Sequence, residues 1–337
     1  MEKFQWAQAR TLEEAQDQVT ATTSQLTSGQ KMTDTSIIKA GGVDLLDLMK
    51  EGIAAPNKVI DIKAIPGMKQ ITFDAKKGLR VGAGVTLSQL QKQKEVKEIY
   101  NALFQAISHA ATPQVRNMAT VGGNMAQRTR CWYFRSEDHQ CKKKGGSVCF
   151  AQTGKNDIHA IYNTSICPCV HSSSIATALM AFDAEVEYLD QKGKVQNVLL
   201  TDFFTPPEVD VTRENILKPK EVITAIQIPV PSSSIKSYYI KQGARESYDW
   251  ALADVAVVLE MSGANCKKAA IVMGAAAPIP FRATEAEEVL SGKAIDESIA
   301  IKAAEAVLQK ATPLSGNSYK IPMFKAIIKN CILKTIS

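Results

Sequence analysis

Lys39-Ala40-Gly41-Gly42-Val43-Asp44-Leu45-Leu46 and, further along, Thr120-Val121-Gly122-Gly123-Asn124 each set a glycine pair at a change of chain direction. Residues 35–39, ahead of the first pair, are β-rich and read as a short strand; residues 43–49 after it read as a helix. A strand–Gly-Gly–helix join offers a pyrophosphate two things. Backbone can approach it with no Cβ in the way, and a helix start presents free amides with a favourable dipole. The second pair closes the turn-like run 114–124, with Arg116 and Asn117 at its start, and supplies another loop of that kind. Neither matches the Gly-x-Gly-x-x-Gly or the Gly-Lys-Ser/Thr phosphate motifs. Taken alone, each pair reads more readily as a plain turn.

Outward from these loops the chain alternates short strands and helices. Strands are predicted over 58–62 and 79–83. One long helix is predicted over 87–110, with Leu90, Ile99, Leu103 and Ile107 at helical spacing, broken at Ala111-Thr112-Pro113. Residues 172–182 read as a helix, 184–189 and 222–228 as strands. Pro229-Val230-Pro231-Ser232-Ser233-Ser234 reads as a linker. Beyond it come strands near 238–242, 255–261 and 269–273, then helices from Ala283, from Ile295 and around 323–336. Thr11 with Glu14, and Thr284 with Glu287, have capping-box spacing. The class is α+β. The expected division is an N-terminal domain over 1–228 in two lobes (about 1–56 and 57–228), a linker over 229–234 and a C-terminal α+β domain over 235–337.

From about 128 to 170 the periodicity disappears, and so long a structureless excursion inside a domain needs something to hold it. Five of the seven cysteines fall there: Cys131, Cys141, Cys149, Cys167 and Cys169; Cys266 and Cys331 stand apart. Thiolates are the preferred ligands of iron–sulfur clusters, which typically take four. Structural zinc favours pairs separated by two to four residues, and Cys167-Pro168-Cys169 has one. An iron–sulfur cluster fits best, with zinc and free thiols as alternatives. His109, His139, His159 and His171 lack metal-ligand spacing and read as surface or core residues. No Ser/His/Asp set or paired carboxylates suggest independent hydrolytic chemistry.

The ordered series Lys-Ala-Gly-Gly-Val-Asp-Leu-Leu, Val-Ile-Asp-Ile, Leu-Arg-Val-Gly-Ala-Gly-Val-Thr-Leu and Thr-Pro-Gln-Val-Arg-Asn-Met-Ala-Thr-Val-Gly-Gly-Asn runs from residue 39 to residue 124. It closely resembles the FAD-binding subunit of the xanthine dehydrogenase family of molybdenum hydroxylases, and the resemblance covers essentially the whole chain. It implies a two-part FAD-binding domain followed by a C-terminal α+β domain. It also implies that the FAD pyrophosphate is held by Lys39, Ala40, Gly41, Gly42, Val43 and Asp44 and by Thr120, Val121, Gly122, Gly123 and Asn124, with Arg116 and Asn117 at the loop entrance. The family's Lys-Gln-x-x-Arg segment corresponds to Lys241-Gln242-Gly243-Ala244-Arg245. That implies Lys241 and Asp249 near the isoalloxazine; Tyr248 and Trp250 read equally as core packing or as flavin contacts.

The cysteine insertion departs from most of the family. The flavin subunits of 4-hydroxybenzoyl-CoA reductase and of a bacterial periplasmic aldehyde oxidoreductase carry an extra 4Fe–4S cluster in such an insertion. Arg130-Cys131-Trp132-Tyr133-Phe134-Arg135, followed by Cys141, Lys142, Lys143, Cys149 and His159-Ala160, resembles the second of these. The implied ligands are Cys131, Cys141, Cys149 and Cys167, with Cys169 an alternative ligand or an idle thiol.

The net charge of +6 is spread along the chain, whereas a nucleic-acid binder concentrates basic residues. No apolar run approaches a membrane span. The start, Met1-Glu2-Lys3-Phe4-Gln5-Trp6, lacks a secretory apolar core, so the expected location is cytoplasmic, or exported with a partner. The resemblance implies an electron-transfer subunit. Its partners would be a molybdenum-cofactor large subunit, a 2Fe–2S small subunit and an external acceptor or donor (ferredoxin-like, NAD or other). No residue here is expected to act on an organic substrate. The rival readings are a self-sufficient two-loop flavoenzyme and a non-enzymatic scaffold stabilised by zinc.

Overall fold

The computed structural model describes residues 1–246 and 248–337; Ser247, within the segment between Arg245 and Tyr248, lies outside the described residues. Among the described residues three sheets organise the chain. The first is parallel, in the order Gln5–Gln8, Lys58–Asp61, Ser36–Lys39, and its register sets Lys39 beside Asp61. The second is a five-stranded antiparallel sheet of Ile71–Asp74, Gly78–Gly82, Val222–Ile228, Glu185–Leu189 and Val195–Leu199. The third, also antiparallel, runs Phe281–Arg282, Asn265–Gly274, Ala251–Ser262, Ile235–Gly243.

The third sheet is covered on both faces, which explains the nearly continuous apolar reading of its central strand. Val255, Val257 and Leu259 pack with Phe324, Ile328 and Ile332 of the last helix, Lys320–Ile336. The alternate residues Ala256 and Val258 join a core with Leu103, Ile107, Ile175 and Leu179. Helices Asn101–Ser108 and Ser174–Ala181 therefore connect the second and third sheets into one packed body.

Three local expectations need correction. The long helix predicted over 87–110 is three short ones, Leu87–Gln91, Lys94–Glu98 and Asn101–Ser108. No proline or glycine breaks it. The first break falls at the extended Gln93 and the second at Tyr100, whose ring is fully buried, edge-on to Phe182, and whose hydroxyl donates to the Pro229 carbonyl at 3.1 Å. The second glycine run is not an open turn but two helices, Pro113–Met118 and Val121–Met125, with Gly122 and Gly123 inside the second. The capping boxes are also incomplete. Thr11 accepts from the Glu14 N–H at 3.0 Å, but the Glu14 carboxylate accepts from Arg10. Thr284 caps nothing, because it is the first helical residue and Ala283 holds the cap position; Glu287 accepts instead from Arg282 and from the Ile271 N–H.

The excursion has only two short 3-10 turns, Lys142–Lys144 and Phe150–Gln152. Side chains hold it at both ends. Phe134 and Cys141 pack with Ile37 and Val59 of the first sheet and with Leu48 of helix Val43–Lys50. Ile161 and Tyr162 enter the core of the third sheet. Asn317 and buried Lys320 donate to the His159 carbonyl, at 3.0 and 2.9 Å. Among the described residues no helix is long and apolar enough to cross a membrane.

Candidate functional site

Three segments far apart in sequence meet around one cleft. Its cavity, about 330 Å³, is lined by the run Lys39 to Leu45, by Thr120, Gly123 and Asn124, and by Lys241 with the run Tyr248 to Ala251. That volume falls in the range of small-molecule sites. An adjoining hollow of about 150 Å³ shares Ile38, Ala40 and Gly123 with it and takes in Gly122.

The two glycine pairs differ in their physics. Gly42 occupies the cap position of helix Val43–Lys50 with φ +79°, a left-handed conformation that favours glycine. It supplies no capping side chain, so the first amides of the helix stay free. At the second pair, Thr120 accepts from the Gly123 N–H at 3.2 Å. Gly41 and Gly122 are needed by protein neighbours rather than by open space for a ligand. A Cβ on Gly41 would run into the Met118 carbonyl, and one on Gly122 would stand 2.7 Å from the Cβ of Ala83. Gly123 alone of the four has nothing but the Thr120 hydroxyl nearby, at 3.0 Å.

Other expected residues are placed differently. Val121 is buried in the core. Arg116 donates to the carbonyls of Ala110 and Ala111, both at 2.8 Å, and so closes the end of the preceding helix. Asn117 is exposed, and neither residue lines the cavity. Lys39 pairs with Asp61 at 3.2 Å, and burial lowers its pKa. Lys241 donates to the backbone carbonyls of Asp249 and His109, at 2.5 and 2.9 Å. The Asp249 carboxylate accepts from the Trp250 N–H at 2.9 Å. Tyr248 and Trp250 are not core residues: they are 60% and 51% exposed and face the cavity.

All five cysteines of the excursion line one small cavity, with Lys142 and Lys143 beside them. Among the described residues no group of three or more His, Cys, Asp or Glu is set to hold a metal ion. What the structure does bring together is a set of thiols on one cavity with the buried Lys143 cation beside them, the donor chemistry that a thiolate-bound iron–sulfur group would take. Burial pushes the Cys131 thiol up to about 12. Hydrogen bonds from Cys149 and Cys169 hold Cys167 well below the usual thiol range, and the same contacts push those two up. His159, read from sequence as a surface or core residue, lies against this cavity: its Nε2 is 3.2 Å from the Cys131 sulfur, and burial lowers its pKa to about 4.

Two buried groups escaped the sequence reading. Arg128 and Lys143 both pair with Glu214, and all three side chains are almost wholly buried. Asp254, opposite Lys241 in the sheet register, accepts from Ser174 at 3.3 Å, and burial raises its pKa to about 6. Neither has a local signal, since each partner comes from a distant element.

Comparison with known proteins follows the same outline. The FAD binding domain in molybdopterin dehydrogenase matches residues 2–231, and the CO dehydrogenase flavoprotein C-terminal domain matches residues 238–334. The aldehyde oxidoreductase FAD-binding subunit PaoB of Escherichia coli (strain K12) is 33% identical over 297 residues, covering 87% of this chain and 89% of that protein. The carbon monoxide dehydrogenase medium chain of Hydrogenophaga pseudoflava is 26% identical over 308 residues, covering 90% of each. A solved structure of carbon monoxide dehydrogenase from Hydrogenophaga pseudoflava overlays with a TM-score of 0.75 at 24% identity, over 99% of this chain and 98% of that one; at that identity it speaks for the fold.

Proposed function

This chain belongs to the FAD-binding medium subunits of the molybdenum hydroxylases, an oxidoreductase family, and from that premise we propose that it relays electrons between its FAD and a 4Fe–4S cluster of its own. The observation that carries the reading is the convergence of Gly41 and Gly42, of Thr120, Gly123 and Asn124, and of Lys241 with Tyr248 to Ala251 on one cavity. Lys39, Ala40, Gly41, Gly42, Val43 and Asp44 surround the pyrophosphate, with the free amides after Gly42 as donors to its oxygens. Thr120, Gly123 and Asn124 face it from the other side; Val121 and Gly122 pack that helix against the sheet. Lys241 ties the segment around Asp249 to the end of helix Asn101–Ser108, so its role is to fix the wall next to the ring. Tyr248 and Trp250 supply flat apolar surface and limit solvent access. Bound FAD accepts two electrons and exchanges them singly, which couples a two-electron reaction to one-electron carriers.

Cys131, Cys141, Cys149 and Cys167 hold the cluster in this reading, with Cys169 as a buried neighbour. Their shared cavity and the adjacent buried cation of Lys143 suit a thiolate cluster of net negative charge. Substrate chemistry belongs to a molybdenum-cofactor large subunit, and a 2Fe–2S small subunit connects it to this chain. The relatives' designations as FAD-binding subunit and medium chain support such an assembly. An external carrier, ferredoxin-like, NAD or another, completes the circuit.

The test is composition. The purified chain is expected to show flavin bands and broad iron–sulfur absorption, with about four irons per chain. Cys149→Ser should lose the iron, and Cys169→Ser should keep it. Zinc without flavin, or turnover of an organic donor by the isolated chain, refutes the reading; equal iron loss in both variants refutes the ligand set.

A further inference from the structure

The helix that opens at Gly42 carries an acidic stripe. Asp44, Asp47 and Glu51 are spaced by three and four residues and so share one face. The cysteine excursion lays two arginines on that face. Arg130 pairs with Asp47 at 2.6 Å and with Asp44 at 3.1 Å. Arg135 pairs with Asp44 at 2.6 Å and with Glu51 at 3.2 Å. The Arg128 N–H donates to the other Asp44 oxygen at 2.8 Å. Asp44 is thus fully engaged by the excursion, although it lines the flavin cavity.

Electrostatics gives this arrangement a purpose. Asp44 sits in the first turn of the helix whose free amides face the cavity, where a bare carboxylate would repel phosphate. The guanidiniums offset that charge. Arg130 also lines the cavity, and its guanidinium lies 4.7 Å from the Trp250 ring on the opposite wall. Between the two arginines is Cys131. The Arg135 N–H donates to its carbonyl at 3.0 Å, closing a single turn whose thiol faces the cysteine cavity. Whatever fixes that thiol fixes both arginines.

We propose that Arg130 and Arg135 are positioning residues through which the group bound by the cysteines sets the affinity of the first glycine loop for FAD. The proposal rests on the cluster reading above. Linkage makes the coupling reciprocal: the factor that the cluster adds to FAD affinity, FAD adds to cluster retention.

The experiment measures iron content and FAD Kd, by flavin fluorescence, on the full chain. Cys131→Ser and Cys149→Ser should both lose iron and raise the FAD Kd by roughly 5-fold to 150-fold, the usual span of such couplings. Cys149 is remote from the arginines in sequence, so agreement between the two separates cluster loss from local damage. Arg130→Gln should keep its iron yet weaken FAD, and Arg130→Lys should restore most of the affinity. In the pair Asp44→Asn with Arg130→Gln the loss should shrink, because no carboxylate remains to be neutralised. Iron-free cysteine variants with Kd within about twofold of wild type, below the usual coupling range, overturn the proposal, as does Arg130→Gln with unchanged Kd. Wild-type protein without iron overturns the cluster reading instead, and the coupling with it.

Discussion

The cleft between the glycine loops and the cysteine cavity lie side by side but are built in opposite ways. The cleft is made from the ends of regular elements: a strand, two helix starts and a sheet edge. Its shape follows from backbone hydrogen bonds and apolar packing behind it, where Val81, Ala83, Val85 and Val121 are buried together. The cysteine cavity has almost no regular structure around it. Ion pairs, two anchoring residues from the last part of the chain and a few apolar plugs hold it in place. A site of the first kind tolerates changes at its rim, whereas one of the second kind depends on each buried charge having its partner.

The largest effect should therefore come from the excursion. Glu214→Ala leaves Arg128 and Lys143 as buried cations without a counter-charge and should cost about 3–5 kcal/mol in urea unfolding. A loss of under about 1 kcal/mol, the typical value of an exposed pair, would mean that packing, not charge, holds this region. Next comes Asp254, whose folded-state pKa is raised to about 6 by burial. A raised carboxyl costs the fold nothing below its unfolded value, near 3.9, and destabilises it progressively as pH rises to about 6. Asp254→Asn should then gain stability relative to wild type between pH 4 and pH 7, by on the order of 2–3 kcal/mol. A difference that does not vary with pH contradicts this.

The glycines sharpen the contrast within the cleft. Gly122→Ala presses on Ala83 and should lower stability by about 1–3 kcal/mol, read as a lower melting temperature. Gly123→Ala should fold normally and bind FAD more weakly, read by flavin fluorescence. Equal melting temperatures with equal FAD loss would show that both glycines serve the ligand alone. The smallest change is Tyr100→Phe, which removes the hydroxyl from the Pro229 carbonyl and should cost about 1 kcal/mol in thermal unfolding. If helix content over 87–110 rose in that variant, the hydroxyl would be what breaks the helix.

Much of this molecule is written locally in its sequence. Most strands, many helices, the first glycine loop and the crowding of cysteines are legible from periodicity, turn residues and residue type over a few neighbours, whereas the strands Gln5–Gln8, Ile71–Asp74, Val195–Leu199 and Phe281–Arg282 are not. The order of motifs from Lys39 to Asn124 carried the family. Tertiary structure alone decided what each group touches. Asp44 lines the cleft yet is held by arginines from the excursion; Arg116 turns to the carbonyls of Ala110 and Ala111; Gly122 makes room for Ala83 rather than for a ligand. One of the two breaks in the helix expected over 87–110 falls at Tyr100, whose partners are Phe182 and Pro229. The physical reason is range. Propensity and periodicity act between near neighbours, whereas burial, ion pairing and close packing join residues tens or hundreds of positions apart, and no local pattern encodes which of them will meet.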